Sequence, residues 1–387
     1  MTSLPRGFGA YVANLGVKDD TADFVVIGAE RPIPVSGVFT RSRFAAPSVQ
    51  SSRAVVGDGR AQAVVVVAKN ANVANGAAGA DDNRAVVAAV ADRLGCTADA
   101  VVIASTGVIG RRYPIERMLA GIAVLPATLT LRDIDEAAVA ITTTDTAVKI
   151  SARHVAGSDA RVVGMAKGAG MIEPNMATMI AVILTDAAVD AATLDSTFRA
   201  AVESTFNCVS IDTDTSTSDT AVVLASGVAG DVDPSAFASA LHGVALDLTK
   251  MIAADGEGAE KLIEVCVDGA RDRAQARRVA KAVVNSPLVK TAVHGADPNW
   301  GRVAMAIGKC DGDEDRDIDP DHVVIRFGPH ELYPQRVDHT SLNALAAYLA
   351  GPEIVIHITL GTGAERCTVW GCDLTAGYVR INADYTT

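Results

Sequence analysis

The sequence predicts a mixed α/β (α+β) protein built on large mixed sheets, and three observations predict it. Short runs rich in Val, Ile and Ala alternate with amphipathic helical patterns, as where Ala61 to Ala68 precedes Asp81 to Leu94. Few of these form clean strand–helix–strand units, and the G-x-G-x-x-G turn of a dinucleotide fold is absent. The stretch Gly164 to Asp186, GMAKGAGMIEPNMATMIAVILTD, has a polar, glycine-rich front half and an apolar back half. Its hinge is Pro174-Asn-Met-Ala-Thr178, and Met179 to Leu184 reads as a short strand covered on both faces.

Taken in order, residues 22–49 alternate Val/Ile/Phe runs with Gly and Pro breaks, as short strands do. Ala61 to Ala68 is a buried strand opening into Lys69-Asn-Ala-Asn-Val-Ala-Asn75-Gly, whose asparagines suit turn chemistry. Asp81 to Leu94 puts Val86, Val87, Val90 and Leu94 on one helical face. Ala100 to Ala104 is a strand that runs into Ser105-Thr-Gly-Val-Ile-Gly110, and a helix starts near Pro114, a favoured first-turn position for proline. Ile134 to Ile141 is a short helix ending in Thr142-Thr-Thr-Asp-Thr146. Val148 to Ala166 is a hairpin around Gly157-Ser158-Asp159.

A helix, Ala191 to Phe206, precedes the polar run Asp212-Thr-Asp-Thr-Ser-Thr-Ser-Asp219 and the strand Thr220 to Ala225. That run lacks the glycine and terminal glutamate of a calcium loop and reads as the lining of a site. Pro234 to Ala254 is a long helix, followed by Asp255-Gly-Glu-Gly258 and the strand Lys261 to Val267. Arg271 to Val284 is a basic amphipathic helix, and a further helix follows His294 to Arg302. Asp311 to Asp321 is an acidic surface loop. The last part reads as strands plus one helix, Ser341 to Leu349.

With 387 residues there is length for one large or two ordinary domains. Hydrophobic residues at 49 % and charged ones at 21 % give a globular balance. Aromatics at 4 % and a net charge of −12 argue against nucleic-acid surfaces, which need stacking rings and cations. The longest apolar runs fall short of a membrane span, and MTSLPRGFGAY lacks the build of a signal peptide, so the expectation is a cytoplasmic protein. The six cysteines and seven histidines match no metal template. Cys367 and Cys372 are near in sequence, but in a reducing compartment they read as small buried hydrophobes.

The run KGAGMIEPNMATM resembles the self-cleavage segment of the ornithine acetyltransferase (glutamate N-acetyltransferase) family. The resemblance extends from Gly37-Val-Phe-Thr-Arg41 to Arg380-Ile-Asn-Ala-Asp-Tyr-Thr-Thr387. Glu173, in EPNMAT, and the run SIDTDTSTSDT most resemble the branch found in clavulanic-acid-type gene clusters. Arginine-pathway members more often carry a small residue at that position. The resemblance implies an αββα-type layered large domain with a smaller α/β domain towards the C-terminus, and a self-cleaved N-terminal-nucleophile enzyme. It implies cleavage between Ala177 and Thr178, giving an α chain of residues 1–177 and a β chain of 178–387, assembled as α2β2. It also implies acetyl transfer from N-acetylornithine to glutamate with no metal or organic cofactor.

The residues suit that chemistry. A free Thr178 carries an α-amine, with an ordinary pKa of about 7.7–8.0, beside its own hydroxyl, so one residue supplies base and nucleophile. The resemblance assigns oxyanion stabilisation to Thr106 and Gly107, where Ser-Thr-Gly alone reads as a strand-to-helix turn. It assigns substrate binding to Thr143 or Thr144, Lys167, Thr178, Glu257, Asn382 and Thr387. Lys167 is suited to pair with a carboxylate and Glu257 with an ammonium. An N-terminal-Thr amidohydrolase is the alternative, since the acceptor depends on pocket shape and water exclusion. Acetyl-CoA-dependent acetylation ranks lower because no basic pocket is visible. A binding protein without turnover ranks lower because both the Ala-Thr and the Thr-Gly pairs are intact.

Overall fold

The structure is a computed structural model that describes residues 2–173, 179–335 and 339–384. The first half of the chain runs β1 (Gly9–Ala13), β2 (Phe24–Phe39), α1 (Pro47–Gly57), β3 (Arg60–Val67), α2 (Gly76–Leu94), β4 (Val101–Ser105), α3 (Ile115–Ile122), α4 (Asp135–Ala140), β5 (Lys149–His154), β6 (Arg161–Lys167) and β7 (Ile180–Ala188). The second half continues with α5 (Ala191–Ser204), β8 (Thr220–Asp231), α6 (Pro234–Ala254), β9 (Leu262–Ala270), α7 (Arg273–Val284), α8 (Pro287–His294), α9 (Trp300–Gly308), β10 (Val324–Phe327), β11 (His330–Tyr333), α10 (His339–Leu349), β12 (Glu353–Thr359), β13 (Glu365–Cys372) and α11 (Ala376–Asp384).

An eight-stranded sheet has the order β4-β3-β2-β8-β7-β6-β5, with β1 also paired to β2. Residues 22–49 were expected to hold several short strands; they hold one long strand, β2, which bends. Its register with β3 breaks between Gly28 and Ile33, around Pro32 and Pro34, and its last residues, Val35–Phe39, pair with β8 instead. Proline removes a ladder donor, so a strand crosses from one half-sheet to another most easily there.

The bend folds the sheet onto itself. Val25, Ile27, Val64 and Val66 of one half pack in a single buried cluster with Met165, Val182, Leu184, Val222 and Leu224 of the other. On the outer face of the first half, Val65, Val67, Val101 and Ile103 meet Val86 and Val90 of α2 and Met118 and Ile122 of α3. On the outer face of the second half, Ala181, Ile183 and Val223 meet Phe198 of α5 and Leu241, Val244 and Leu248 of α6. The alternation of β7, with Ile180, Val182 and Leu184 in one core and Ala181 and Ile183 in the other, is what a strand buried on both faces requires. The result is the αββα layering.

A smaller mixed sheet, β11-β10-β12-β9-β13, forms the C-terminal part, with α7 against β9 and β13. Helix α6 touches β5 and β6 on one side and β9 and β13 on the other, so its long apolar surface joins the two parts. Helix starts follow local chemistry. Asp190, Asp233, Asp272 and Ser286 accept backbone N–H bonds at the first turns of α5, α6, α7 and α8, each worth about 1 kcal/mol. Helices α8 and α11 were not expected from the sequence. α8 is only eight residues long, so its apolar face (Val289, Ala292, Val293) spans barely two turns, and α11 has no fully buried side chain to set an apolar period.

Among the described residues no helix is long and apolar enough to cross a membrane. All six cysteines are free. Cys367 faces Cys208, sulfur to sulfur 3.9 Å, rather than Cys372.

Candidate active site

The strand ends at one edge of the sandwich make a cleft of ≈ 240 Å³. β4 ends there in Thr106 and Gly107, β6 ends there in Lys167, and β7 and β8 begin there with Met179 and Ser216–Asp219 just upstream. The register explains the convergence: Lys167 pairs with Ile180, which pairs with Thr220. Thr143 and Thr144 reach the cleft from the loop after α4, Glu257 from the loop after α6, and Asn382 from α11. Thr106, Gly107, Thr143, Thr144, Lys167, Glu257 and Asn382 therefore line one cleft, although they are dispersed over most of the sequence. Ala177, Thr178 and Thr387 lie outside the described residues. Two larger surface clefts, beside Arg53 and Arg199 (≈ 550 Å³) and beside Arg6 and Arg132 (≈ 680 Å³), hold none of the expected site residues.

Gly107 sits where no other residue fits. Its φ is +126°, and a Cβ would lie 2.2 Å from the Lys69 carbonyl carbon and 2.5 Å from Asn70 N. The turn is locked to the neighbouring loop: Thr106 N–H donates to Val67 O at 3.0 Å, and Ala71 N–H donates to Val108 O at 3.0 Å. The loop asparagines do turn chemistry. Asn70 Nδ2 donates to Arg112 O, its Oδ1 accepts from Asn72 N, and Asn72 Nδ2 donates to Gly79 O. Only Ala71 of that loop lines the cleft.

The cleft lining carries charges of both signs. Lys167 Nζ donates to Thr143 Oγ1 at 3.3 Å. Burial pulls the Lys167 ammonium below the ordinary lysine range; Lys149 pushes the same way, while Asp145, Asp219 and Glu257 oppose it. Glu257 is fixed by its N–H to Ala169 O at 2.7 Å, and its Oε2 accepts from Asn382 Nδ2 at 2.8 Å. Tyr378, on the same helix as Asn382, is pushed up to about 12 by burial and by the carboxylates of Asp212 and Glu257. A cation, a carboxylate and several hydroxyls around a small cleft suit a compact zwitterion such as an amino-acid derivative.

Beneath Lys167 lies a buried ion triad that the sequence did not reveal. Lys149 Nζ is 2.6 Å from Asp145 Oδ1 and 2.5 Å from Asp255 Oδ2, with side chains 1 %, 0 % and 8 % exposed. Asp145 also accepts from Gly168 N at 2.6 Å and Thr143 N at 3.0 Å, so it fixes the backbone on both sides of the Lys167–Thr143 contact. Burial alone would push its carboxyl up; Lys167 and Lys149 outweigh that and hold it below the ordinary range. Its contribution to stability is therefore in place above the unfolded carboxylate value, about 3.9, and is lost as pH falls through the lower folded value. Lys149→Met is expected to destabilise the fold by about 3–5 kcal/mol in denaturant melts, because Asp255 would lose its paired ammonium and Asp145 would keep only Lys167 against its burial.

Asp219 is the other residue the sequence did not single out: 2 % exposed, on the cleft wall, its charge felt by Lys167. Away from the cleft, space brings the scattered His294 beside Asp373, Nδ1 to Oδ2 3.0 Å, and near Glu260.

The sequence model of the ArgJ family matches residues 9–387. The arginine biosynthesis bifunctional protein ArgJ 2 of Nostoc sp. is 55 % identical over 386 residues, covering 100 % of this chain and 99 % of that protein. The glutamate N-acetyltransferase Oat2 of Streptomyces clavuligerus is 54 % identical over 389 residues, covering 99 % and 98 %. Among solved structures, an arginine biosynthesis bifunctional protein ArgJ from Bacillus halodurans is 40 % identical and covers 52 % of this chain and 96 % of its own, with a TM-score of 0.48. Matched along nearly its whole length, by the family and by relatives of more than half identical sequence, the chain belongs to the ArgJ family.

Proposed function

We propose that this chain is a self-cleaving acyltransferase that moves an acetyl group from N-acetylornithine to glutamate through an acyl-Thr178 intermediate. In the maturation step Thr178 Oγ attacks the Ala177 carbonyl carbon, the C–N bond to Thr178 breaks, and the hydroxyl proton ends on the new α-amine. Water then hydrolyses the ester, leaving an Ala177 carboxylate and a free Thr178 hydroxyl. In turnover the amine takes the hydroxyl proton as Oγ attacks the acetyl carbonyl. Ornithine leaves with that proton, and glutamate accepts the acetyl group. The kinetics are ping-pong.

The observation that carries this reading is the convergence on one cleft of every described residue expected to act there, at the edge where the segment holding Ala177–Thr178 leaves and re-enters the sheet. Thr106 and the Gly107 N–H are the oxyanion donors. Lys167 takes the substrate carboxylate, Glu257 and Asn382 the ammonium, and Thr143 and Thr144 orient the amide. The β6–β7 ladder, Val162 to Lys167 against Thr185 to Ile180, holds the two fragments together after the cut. The mature enzyme is a cytoplasmic α2β2 assembly without cofactor.

An acetyl-transfer assay with and without glutamate tests the reaction. N-acetylglutamate formed only with glutamate is the expected result; equal consumption of N-acetylornithine with water as acceptor makes the chain an amidohydrolase. Removing Asp384 to Thr387 tests the tail. Asp384 is exposed at the end of α11, so the fold is expected to survive while turnover drops strongly, and unchanged turnover would remove Thr387 from the site.

A further inference from the structure

Glu173 stands immediately before the hinge and is held more firmly than a half-exposed glutamate needs to be. Its Oε2 accepts from Asn285 Nδ2 at 2.6 Å and from Ser210 Oγ at 2.9 Å, and its Oε1 is 3.2 Å from Lys281 Nζ. Its backbone is fixed as well: N–H to Asp214 O at 2.8 Å, and C=O accepting from Thr215 Oγ1 at 3.2 Å. The two residues before it are tied by Met171 N and Ile172 N to the Asp212 carboxylate at 2.6 and 2.7 Å. Downstream, Met179 O accepts from Thr220 N at 2.9 Å. The Ala177–Thr178 bond thus lies between two fixed posts, and the upstream post is a carboxylate gripped by the last turn of α7.

We propose that Glu173 is the positioning residue for self-cleavage. Its clasp to Lys281, Asn285 and Ser210 sets where the chain enters the scissile bond, and makes the cut wait until α7 has docked. The proposal rests on the cleavage reading above. Intramolecular attack needs the Thr178 hydroxyl and the Ala177 carbonyl in near-attack geometry, and a misplacement of about 1 Å costs roughly 10²-fold. Pro174 makes the anchor effective, because a residue before proline is confined to extended backbone and so passes its direction on. Lys281 and Asn285 belong to the C-terminal part, so a chain whose second sheet has not formed lacks two of the three donors. None of these three partners lines the cleft, so once the bond is cut the clasp has no part in acetyl transfer.

The test follows the cutting of freshly synthesised full-length chain by intact mass, for wild type, Glu173→Gln and Lys281→Met, with thermal melts and kcat of the matured fractions alongside. The expected result is about ten- to a hundred-fold slower cutting in both variants, with melting and mature kcat close to wild type; a merely structural role would move those two instead. Both variants folded and cut at the wild-type rate would overturn the proposal while leaving the cleavage reading intact. If Glu173→Gln does not fold, Lys281→Met decides alone, because it removes one of the three contacts while Asn285 and Ser210 still satisfy the carboxylate. A wild-type chain that never cuts overturns both.

Discussion

Thr178→Ala is expected to give a single uncut chain of 39.8 kDa with no measurable acetyl transfer. The threonine hydroxyl is asked to do two things, to break its own peptide bond and to carry the acetyl group, and alanine can do neither. Removing a nucleophile from such a unit costs roughly 10⁶-fold in kcat, so background rates are all that should remain. The variant should still fold. The β6–β7 and β7–β8 ladders pair Ile180 and the residues after it, and Met179, Ile180 and Val182 of the buried clusters keep their packing in the variant. Thr178→Ser keeps an attacking hydroxyl and is expected to cut and turn over, more slowly. Mass spectrometry with a transfer assay on the same samples checks both, and an Ala variant that is cut, or that transfers acetyl, would remove Thr178 from the mechanism.

Gly107→Ala is expected to lower kcat by roughly 10²–10³-fold, the cost of losing one oxyanion donor. The cause is steric. At φ +126° a methyl group would sit 2.2 Å from the Lys69 carbonyl carbon, which belongs to backbone and cannot swing aside as a side-chain tip would. The Thr106–Val108 turn must shift against Lys69–Ala71, and the N–H shifts with it. Lys167, Glu257 and Asn382 are untouched, so KM for N-acetylornithine should change far less than kcat. Self-cleavage should slow as well, since it passes through an oxyanion on the Ala177 carbonyl. A KM that rises while kcat holds would make Gly107 a structural turn and no more.

The fold class could be read from the sequence because strand ends carry their own punctuation, whereas the roles of the cleft residues came from the family resemblance, since Ser-Thr-Gly alone reads as a turn. Thr106-Gly107 follows the apolar run Val101 to Ala104, and Gly168 follows the mostly apolar strand Arg161–Lys167, so each is visibly where a sheet stops. The polar run Asp212 to Asp219 was legible as lining, but its aspartates were indistinguishable in sequence. Space separates them. Asp212 grips the backbone of Met171 and Ile172, the Asp214 carbonyl holds Glu173, and only Asp219 faces the cleft. Asp145 was hidden among threonines, because its role depends on Lys149 and on Asp255, far along the chain. β2 was misread because Pro32 and Pro34 look like strand breaks. They mark the bend at which one strand serves two half-sheets, and only the register with β3 and β8 reveals that.

The central claim is that a threonine freed by the protein itself carries the acetyl group. Intact mass of the denatured protein, before and after incubation with N-acetylornithine in the absence of glutamate, tests it most directly. The account predicts two species divided at Ala177–Thr178, with masses summing to the whole chain plus one water. It further predicts that the donor makes the 178–387 fragment alone heavier by one acetyl group, and that glutamate removes it. A single 39.8 kDa chain, or a cut protein that never gains the acetyl group, would contradict it.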